Sequence, residues 1–169
     1  MKKRIVIFST IVLSSGYACG QNMMSDRDKK FVEESAEGGL MEVKLGQLAE
    51  TNGSSAEVKN LGKQMVSDHS KANGELRSIA VKKNLTLPSS LNEKEQKAYD
   101  KLAKLNGKDF DKAYTRCMVK DHKKDLCKFK RQAKKGDDAE LKDWAANTVP
   151  VLENHEALAK ETCKKVHKG

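Results

Sequence analysis

The sequence is poor in the residues that interrupt helices. Only 2 prolines and 11 glycines occur among 169 residues, and aromatic residues make up 5% of the chain. Lys, Ala, Glu, Leu and Asp dominate instead, and few residues are β-branched. This composition is typical of all-helical proteins. The length suits one ordinary domain with short accessory segments.

The sequence also lacks the common catalytic signatures. It contains no nucleophile elbow and no glycine-rich loop that would hold a phosphate. The di-iron signature of helical bundles requires Glu-x-x-His on two helices. The residues three positions before His69, His122 and His155 are all apolar, which argues against such a centre. No catalytic residue is assigned, and the sequence favours a role other than catalysis.

A long apolar run is missing, but a short one follows the N-terminus. Residues 2–4 are basic and residues 5–13 are apolar, a run too short to span a bilayer. Residues 1–20 are therefore predicted to be a signal peptide. Residues 21–27 form a polar tether, and residues 28–166 form a helical bundle. We expect the protein to be exported to the periplasm or the outer membrane of a bacterium.

Two cleavage sites suit the end of this leader. Gly16 and Ala18 place small residues at the positions that ordinary signal peptidase requires. Cys19 also resembles the cysteine of bacterial lipoproteins, although Gly16 stands where such signals usually carry Leu. Cys19 is therefore a candidate for lipidation, which would attach the protein to the membrane surface through a lipid anchor.

Three further cysteines would meet oxidising conditions after export. Cys117 and Cys127 are ten residues apart, which is about 15 Å along one helix. A disulfide requires Cα atoms within about 7 Å, so this pair cannot close. Cys163 lies on another helix and would reach Cys117 only with a favourable stagger. We expect buried free thiols.

The net charge of +9 comes largely from one segment. Residues 108–135 contain eleven basic side chains against four aspartates. This excess indicates either a solvated, lysine-rich helix face or contact with an anionic surface. The aromatic residues that base stacking requires are missing from this face, so no nucleic-acid partner is expected. The sequence identifies no protein partner.

Apolar residues recur at three- and four-residue steps in four long segments, which predicts four amphipathic helices. These are helix A at 26–50, helix B at 55–84, helix C at 108–135 and helix D at 139–165. Short turns join A to B and C to D, so each pair is antiparallel. The connection from B to C carries a short helix and is long enough to return along the bundle. The predicted fold is a ferritin-like four-helix bundle with a long B–C crossover. Gly38-Gly39 in helix A predicts close approach of a neighbouring helix.

The pattern Met-Val-x-Asp-His occurs at residues 65–69 and again at 118–122. A Met and a His four residues apart lie on one face of a helix. Both histidines therefore fall on apolar stripes, and His155 does the same on helix D. Glu42 lies on the inward side of helix A. All four side chains are near the middle of their helices, so we expect one carboxylate and three imidazoles in one layer.

Two interpretations of this layer stay open. In the first, Glu42 and the three histidines bind a zinc, copper or iron ion. Met65 and Met118 would add thioether ligands for copper, and Asp68 and Asp121 would accept hydrogen bonds from the ligating histidines. In the second, each histidine bonds to a carboxylate across the bundle, and the polar layer fixes the helix register without a metal.

Four segments give the chain a resemblance to a known family. They are Ala36-x-Gly38-Gly39-x-x-Glu42, Met65-Val66-x-Asp68-His69, Met118-Val119-x-Asp121-His122 and Trp144-Ala145-x-x-Thr148-x-Pro150-x-Leu152-x-x-His155. The chain resembles, over residues 28–165, the bacterial domain-of-unknown-function family numbered 4142, whose members are often labelled as exported or outer-membrane proteins. The resemblance implies a ferritin-like bundle in the bacterial envelope and supplies no activity. We therefore expect a non-enzymatic protein with a binding or stress-related role. The alternative is a metal-binding protein, and behind it a metal-dependent oxidoreductase.

Overall fold

The computed structural model describes residues 24–168, which form five α-helices. They are α1 (Asp26–Asn52), α2 (Ala56–Lys82), α3 (Glu93–Ala103), α4 (Gly107–Lys135) and α5 (Ala139–Lys168). The prediction of an all-α fold is confirmed. The predicted signal peptide and Cys19 lie outside the described residues. No helix within 24–168 combines the length and the apolar character that a membrane span needs.

The helices begin where short polar side chains cap them. Ser25 accepts a hydrogen bond from an amide of α1, and Ser55 and Asn92 do the same for α2 and α3. Asp138 accepts one from the amide of Leu141 at the start of α5. Such caps satisfy backbone N–H groups that have no partner inside the helix. Because Ser25 is a cap, α1 begins at Asp26, where helix A was predicted to begin, so the predicted tether overlaps the first two residues of α1.

The four long helices pack side by side around one axis. The most extensive contacts join α1 to α2 and α4 to α5, and smaller ones join α1 to α4 and α2 to α5. Neighbouring helices run antiparallel, which leaves α2 and α4 parallel to each other at opposite corners. The pairs that show this are Asp28–Gln132 and Glu34–Lys128 for α1 and α4, and Lys82–Glu140 and Asp68–His155 for α2 and α5.

The bundle contains two apolar clusters with a polar layer between them. The first cluster includes the aromatic side chains of Phe31, Phe129 and Trp144, whose rings contact one another. The second cluster includes Phe110 and Tyr114, whose rings are stacked. Between the two clusters the long helices contribute buried polar side chains instead. These are Glu42, His69, His122 and His155.

The cysteines within the described chain are free thiols, but they are less buried than expected. Cys117 and Cys163 are half-buried, and Cys127 is exposed. The expectation of burial was wrong for Cys127 because it follows Leu126 directly. One residue corresponds to about 100° around a helix, so burial of Leu126 turns Cys127 towards solvent.

Two buried carboxylates that the sequence analysis did not identify hold the ends of the bundle. Asp111 of α4 accepts hydrogen bonds from the amides of Ser54 and Ser55, at 3.0 and 2.9 Å, and from the hydroxyl of Ser54 at 2.6 Å. At the other end, Asp28 of α1 accepts from Gln132 and from two amides just before α5. Each carboxylate thus fixes a helix start to a helix far away in the sequence.

We expect Asp111→Ala to lower the free energy of unfolding by about 2 kcal/mol, because it leaves two backbone N–H groups of the α1–α2 turn without an acceptor. Chemical denaturation followed by circular dichroism measures the change. Asp109→Ala, which removes an exposed carboxylate two residues earlier, should change stability by no more than about 0.5 kcal/mol. Equal effects of the two substitutions would contradict the role assigned to Asp111.

Candidate metal centre

Three histidines from three different helices meet at the centre of the polar layer. His69 lies on α2, His122 on α4 and His155 on α5. Each histidine has one ring nitrogen that lies within 4.8 Å of a ring nitrogen of both other histidines. The Nε2 atoms of His69 and His122 are 3.4 Å apart. The sequence prediction that these three imidazoles share one layer agrees with this arrangement.

The distance between Nε2 of His69 and Nε2 of His122 suits two ligands of one metal ion. A zinc ion binds histidine nitrogen at about 2.0–2.1 Å in a tetrahedral arrangement. Two nitrogens on one such ion are then about 3.3 Å apart. The observed separation of 3.4 Å therefore matches that of two imidazoles on one metal. It is longer than the roughly 2.7–3.2 Å of an ordinary hydrogen bond from nitrogen.

The three histidines are held in the neutral form that metal binding requires. Burial, together with the neighbouring His122 and His155, lowers the pKa of His69 to about 3. Burial also lowers the pKa of His122 and of His155. A protonated imidazole has no lone pair left for a metal, so these shifts keep the ligand nitrogens available near neutral pH.

Hydrogen bonds fix the tautomers of two of these histidines. Nδ1 of His122 lies 3.0 Å from the carbonyl oxygen of Met118. A carbonyl only accepts, so Nδ1 carries the hydrogen and Nε2 carries the lone pair. Nε2 of His155 lies 2.8 Å from Oδ2 of Asp68, so His155 has its lone pair on Nδ1. That Nδ1 is buried and has no hydrogen-bond partner within residues 24–168.

Asp68 has the position expected of a carboxylate that orients a ligating histidine. Besides the bond from His155, it accepts one from Nε2 of Gln64 at 2.6 Å. Burial raises the pKa of Asp68, but the hydrogen bonds from Gln64 and His155 outweigh burial and leave its pKa below the usual value. Asp68 therefore stays ionised and places a negative charge beside the cluster.

Glu42 is buried at the same height but is not part of the three-histidine cluster. Burial raises its pKa well above the usual value, and the charges of Asp125 and Asp121 raise it further. Burial raises the pKa of Tyr114, and the charge of Glu42 raises it as well. These neighbours all belong to α4. Oε2 of Glu42 and the hydroxyl of Tyr114 are both buried without a hydrogen-bond partner in the described part of the chain.

The other residues predicted to join the site have different surroundings. Asp121 accepts a hydrogen bond from the thiol of Cys117 at 3.0 Å and lies 3.8 Å from the ammonium of Lys124. Met65 and Met118 are fully buried in the apolar cluster around Tyr114. Met118 contributes its backbone carbonyl, which orients His122.

A cavity of about 30 Å³ lies beside His69, between the histidines and the aromatic cluster. All four long helices line it, and the lining includes Ser35, Gly38, Asn73 and Lys128. This cavity was not predicted from the sequence. The available signal was that Ser35 and Gly38 fall on the otherwise apolar stripe of the first helix.

Comparison with known proteins gives a family and a similar structure. Residues 14–162 match the family described as "Domain of unknown function (DUF4142)". A solved structure titled "Crystal structure of DUF305 fragment from Deinococcus radiodurans" is similar with a TM-score of 0.73 and 9% identity. The match covers 84% of this chain and 98% of that chain. At this identity the likeness shows a shared helical fold alone. None of the curated proteins matches the sequence.

Proposed function

We propose that this chain, which belongs to the DUF4142 family, is a metal-binding helical bundle whose ligands are His69, His122 and His155. The observation that carries this proposal is the separation of 3.4 Å between two neutral Nε2 atoms, with a third histidine beside them. Three imidazoles suit Zn²⁺ or Cu²⁺. The proposed role is binding of the ion rather than catalysis.

The arrangement fits a metal site better than a purely structural polar layer. A structural layer would give each histidine a carboxylate partner. Within the described chain, His155 has such a partner, whereas His122 bonds to a carbonyl group and His69 faces His122. Two nitrogens that face each other at 3.4 Å form a poor hydrogen bond, but a shared cation would satisfy both.

Nearby carboxylates support binding of a divalent cation in this buried position. Asp68 is hydrogen-bonded to His155, and the charges of Asp125 and Asp121 act on His122. A buried ion is stable only where opposite charges compensate for lost hydration. Asp68 supplies such a charge from α2, whereas Asp121 and Asp125 of α4 also lie beside lysine ammonium groups and compensate only in part.

We further propose that the bundle has the ferritin-like arrangement, with α3 on the crossover between α2 and α4. Antiparallel packing of all neighbouring long helices supports this arrangement, as does the parallel direction of α2 and α4. In a simple up-down bundle, consecutive helices would alternate in direction throughout.

We also propose that the protein is exported, with Cys19 as a candidate lipid attachment site. The basic residues 2–4 and the short apolar run 5–13 support export. A lipid anchor would place the bundle at a membrane surface in the periplasm or at the outer membrane. Metal would then be bound outside the cytoplasm.

The proposal predicts about one metal ion per chain after metal-free protein is dialysed against Zn²⁺ or Cu²⁺. Elemental analysis measures the ratio. The double variant His69→Ala/His122→Ala should bind none, because one histidine with neighbouring carboxylates is a weak site. His167→Ala removes an exposed histidine near the end of α5 and should leave the ratio unchanged.

Circular dichroism must show that all variants keep their helices. Wild type that binds no metal, or a helical double variant that binds as much as wild type, would overturn the proposal. Loss of metal in His167→Ala would point to a different site at the C-terminal end of α5.

A further inference from the structure

We infer that the cavity beside His69 holds a water molecule or a small anion that coordinates the same metal ion. This inference rests on the proposed function, since it names the exogenous ligand of that site. Three protein ligands leave a tetrahedral ion with one open position. The open position would face the cavity and give the ion contact with small molecules from outside.

The exposure of the three histidines points to this side of the cluster. His69 lines the cavity and is 8% exposed, whereas His122 is 0% and His155 1% exposed. A ligand that enters through the cavity therefore meets the cluster at His69. The other cavity walls near the histidines include the apolar side chains of Phe129, Trp144 and Leu152, which restrict access to small species.

Ser35 supplies an independent sign that the cavity receives a polar ligand. Its side chain lines the cavity and is 7% exposed. Its hydroxyl has no hydrogen-bond partner among the residues that the structure describes. Buried hydroxyl groups without a partner are unfavourable and uncommon. A metal-bound water or anion in the cavity would give this hydroxyl the partner that the protein does not provide.

Lys128 and the cavity size set the chemical class of the ligand. The ammonium of Lys128 lies 3.0 Å from a carboxylate oxygen of Asp125 and donates to the carbonyl of Glu34 at 3.4 Å. Lys128 and Asp125 both line the cavity, so their charges largely balance and favour a neutral or singly charged ligand. A volume of about 30 Å³ holds one or two waters. Water, hydroxide or an anion of a few atoms fits, and larger organic ligands do not.

Gly38 keeps one wall of the cavity open. A Cβ atom placed on Gly38 would meet no described atom within 4 Å apart from the adjacent backbone of its own helix, although Gly38 lines the cavity. Its neighbour Gly39 differs, since a Cβ there would lie 1.9 Å from Oδ1 of Asn73. A larger side chain at position 38 can thus occupy the open space without displacing a histidine.

Azide binding to the Cu²⁺-loaded protein tests this inference, with the metal ratio measured first. Wild type should develop an azide-to-copper charge-transfer absorption that saturates. Gly38→Val should weaken azide binding at least about tenfold by filling the cavity. Ser35→Ala should weaken it about fivefold by removing the hydroxyl donor. Gly74→Val, at an exposed glycine of α2 whose Cβ would also meet no described atom within 4 Å, is the matched control.

The metal ratio separates the two proposals. Copper bound by every variant, with azide affinity lowered in Gly38→Val and Ser35→Ala but not in Gly74→Val, supports the cavity as the ligand site. Copper bound by wild type without any azide absorption, or with equal azide affinity in all variants, overturns this inference and leaves the metal site standing. Wild type that binds neither copper nor zinc overturns both.

Discussion

Metal-free protein should lose stability as the pH falls from about 8 to about 5. Each histidine of an unfolded chain takes up a proton near its ordinary pKa of about 6.5. In the native bundle, burial lowers the pKa of His69 to about 3, so the native state stays unprotonated there. The unfolded state then binds more protons than the native state, and the free energy of unfolding falls as the pH falls.

The size of this loss in the free energy of unfolding depends on how far the pH lies below the unfolded-state pKa of about 6.5. At about pH 5 a histidine whose native pKa lies still lower contributes a loss of about 2 kcal/mol. His69 meets that condition. The native pKa values of His122 and His155 are lowered by burial as well, so both add to the loss. The stability contributed by these histidines is complete above pH 6.5 and declines below it.

Glu42 has the opposite effect on the free energy of unfolding over the same pH range. Because burial raises its native pKa, the native state holds a proton that the unfolded chain has already released. This difference lowers stability as the pH rises above about 4.5. Glu42→Gln, which removes the charge and nearly keeps the shape, should therefore stabilise the protein at about pH 8. It should also make the loss on acidification steeper than in wild type.

Urea unfolding at each pH, followed by circular dichroism, measures both effects in protein freed of metal. His69→Gln should reduce the pH dependence, because it removes one of the three buried imidazoles. A midpoint that stays constant from about pH 8 to about pH 5 in Glu42→Gln would contradict the assignment of three neutral buried histidines.

The second large effect concerns the contact between α1 and α2. A Cβ atom on Gly46 would lie 2.7 Å from the backbone oxygen of Gly62 and 2.8 Å from a methyl group of Val66. The reciprocal contact is equally short, since a Cβ on Gly62 would lie 2.7 Å from the oxygen of Gly46. Backbone atoms cannot move aside unless the helices separate. We expect Gly46→Ala to cost about 3 kcal/mol of stability.

Gly74→Ala is the matched control, because it is also a glycine inside a long helix but is exposed and has no described atom within 4 Å of its Cβ. There alanine should stabilise the helix by up to about 1 kcal/mol. The two substitutions are chemically identical and should have opposite signs. If thermal unfolding shows that Gly46→Ala is as stable as Gly74→Ala, the close approach of α1 and α2 at Gly46 is wrong.

Helix positions and the height of the polar layer were predictable from the sequence, because both depend on local periodicity. The positions of the three histidines on apolar stripes follow from spacing along single helices. The orientation of the Glu42 side chain towards α4 does not follow from such spacing, since it depends on how α1 and α4 are rotated relative to each other. The dependence on helix rotation also explains why the predicted close approach at Gly38-Gly39 holds for only one of these two glycines. Gly39 contacts Asn73 as expected of a close approach, whereas Gly38 does not.

Long-range polar contacts were the least predictable part. Asp28 and Asp111 look like ordinary acidic residues of a helix, and their partners lie more than fifty positions away in the sequence. The cavity beside His69 depends on side chains from four helices, so no single segment reveals it. Hydrogen bonds such as that of Asp68 to His155 were predictable only in kind, because the sequence indicates a nearby carboxylate but not its pairing.

The bundle consists of two helical hairpins, and this division affects how the protein folds. Contacts within the α1–α2 and α4–α5 hairpins are local in sequence and more extensive than those between hairpins, so each hairpin can form before the two dock. His69 belongs to the first hairpin, while His122 and His155 belong to the second. The three-histidine cluster therefore exists only after docking. An ion bound there would act as a late cross-link that slows unfolding more than it speeds folding.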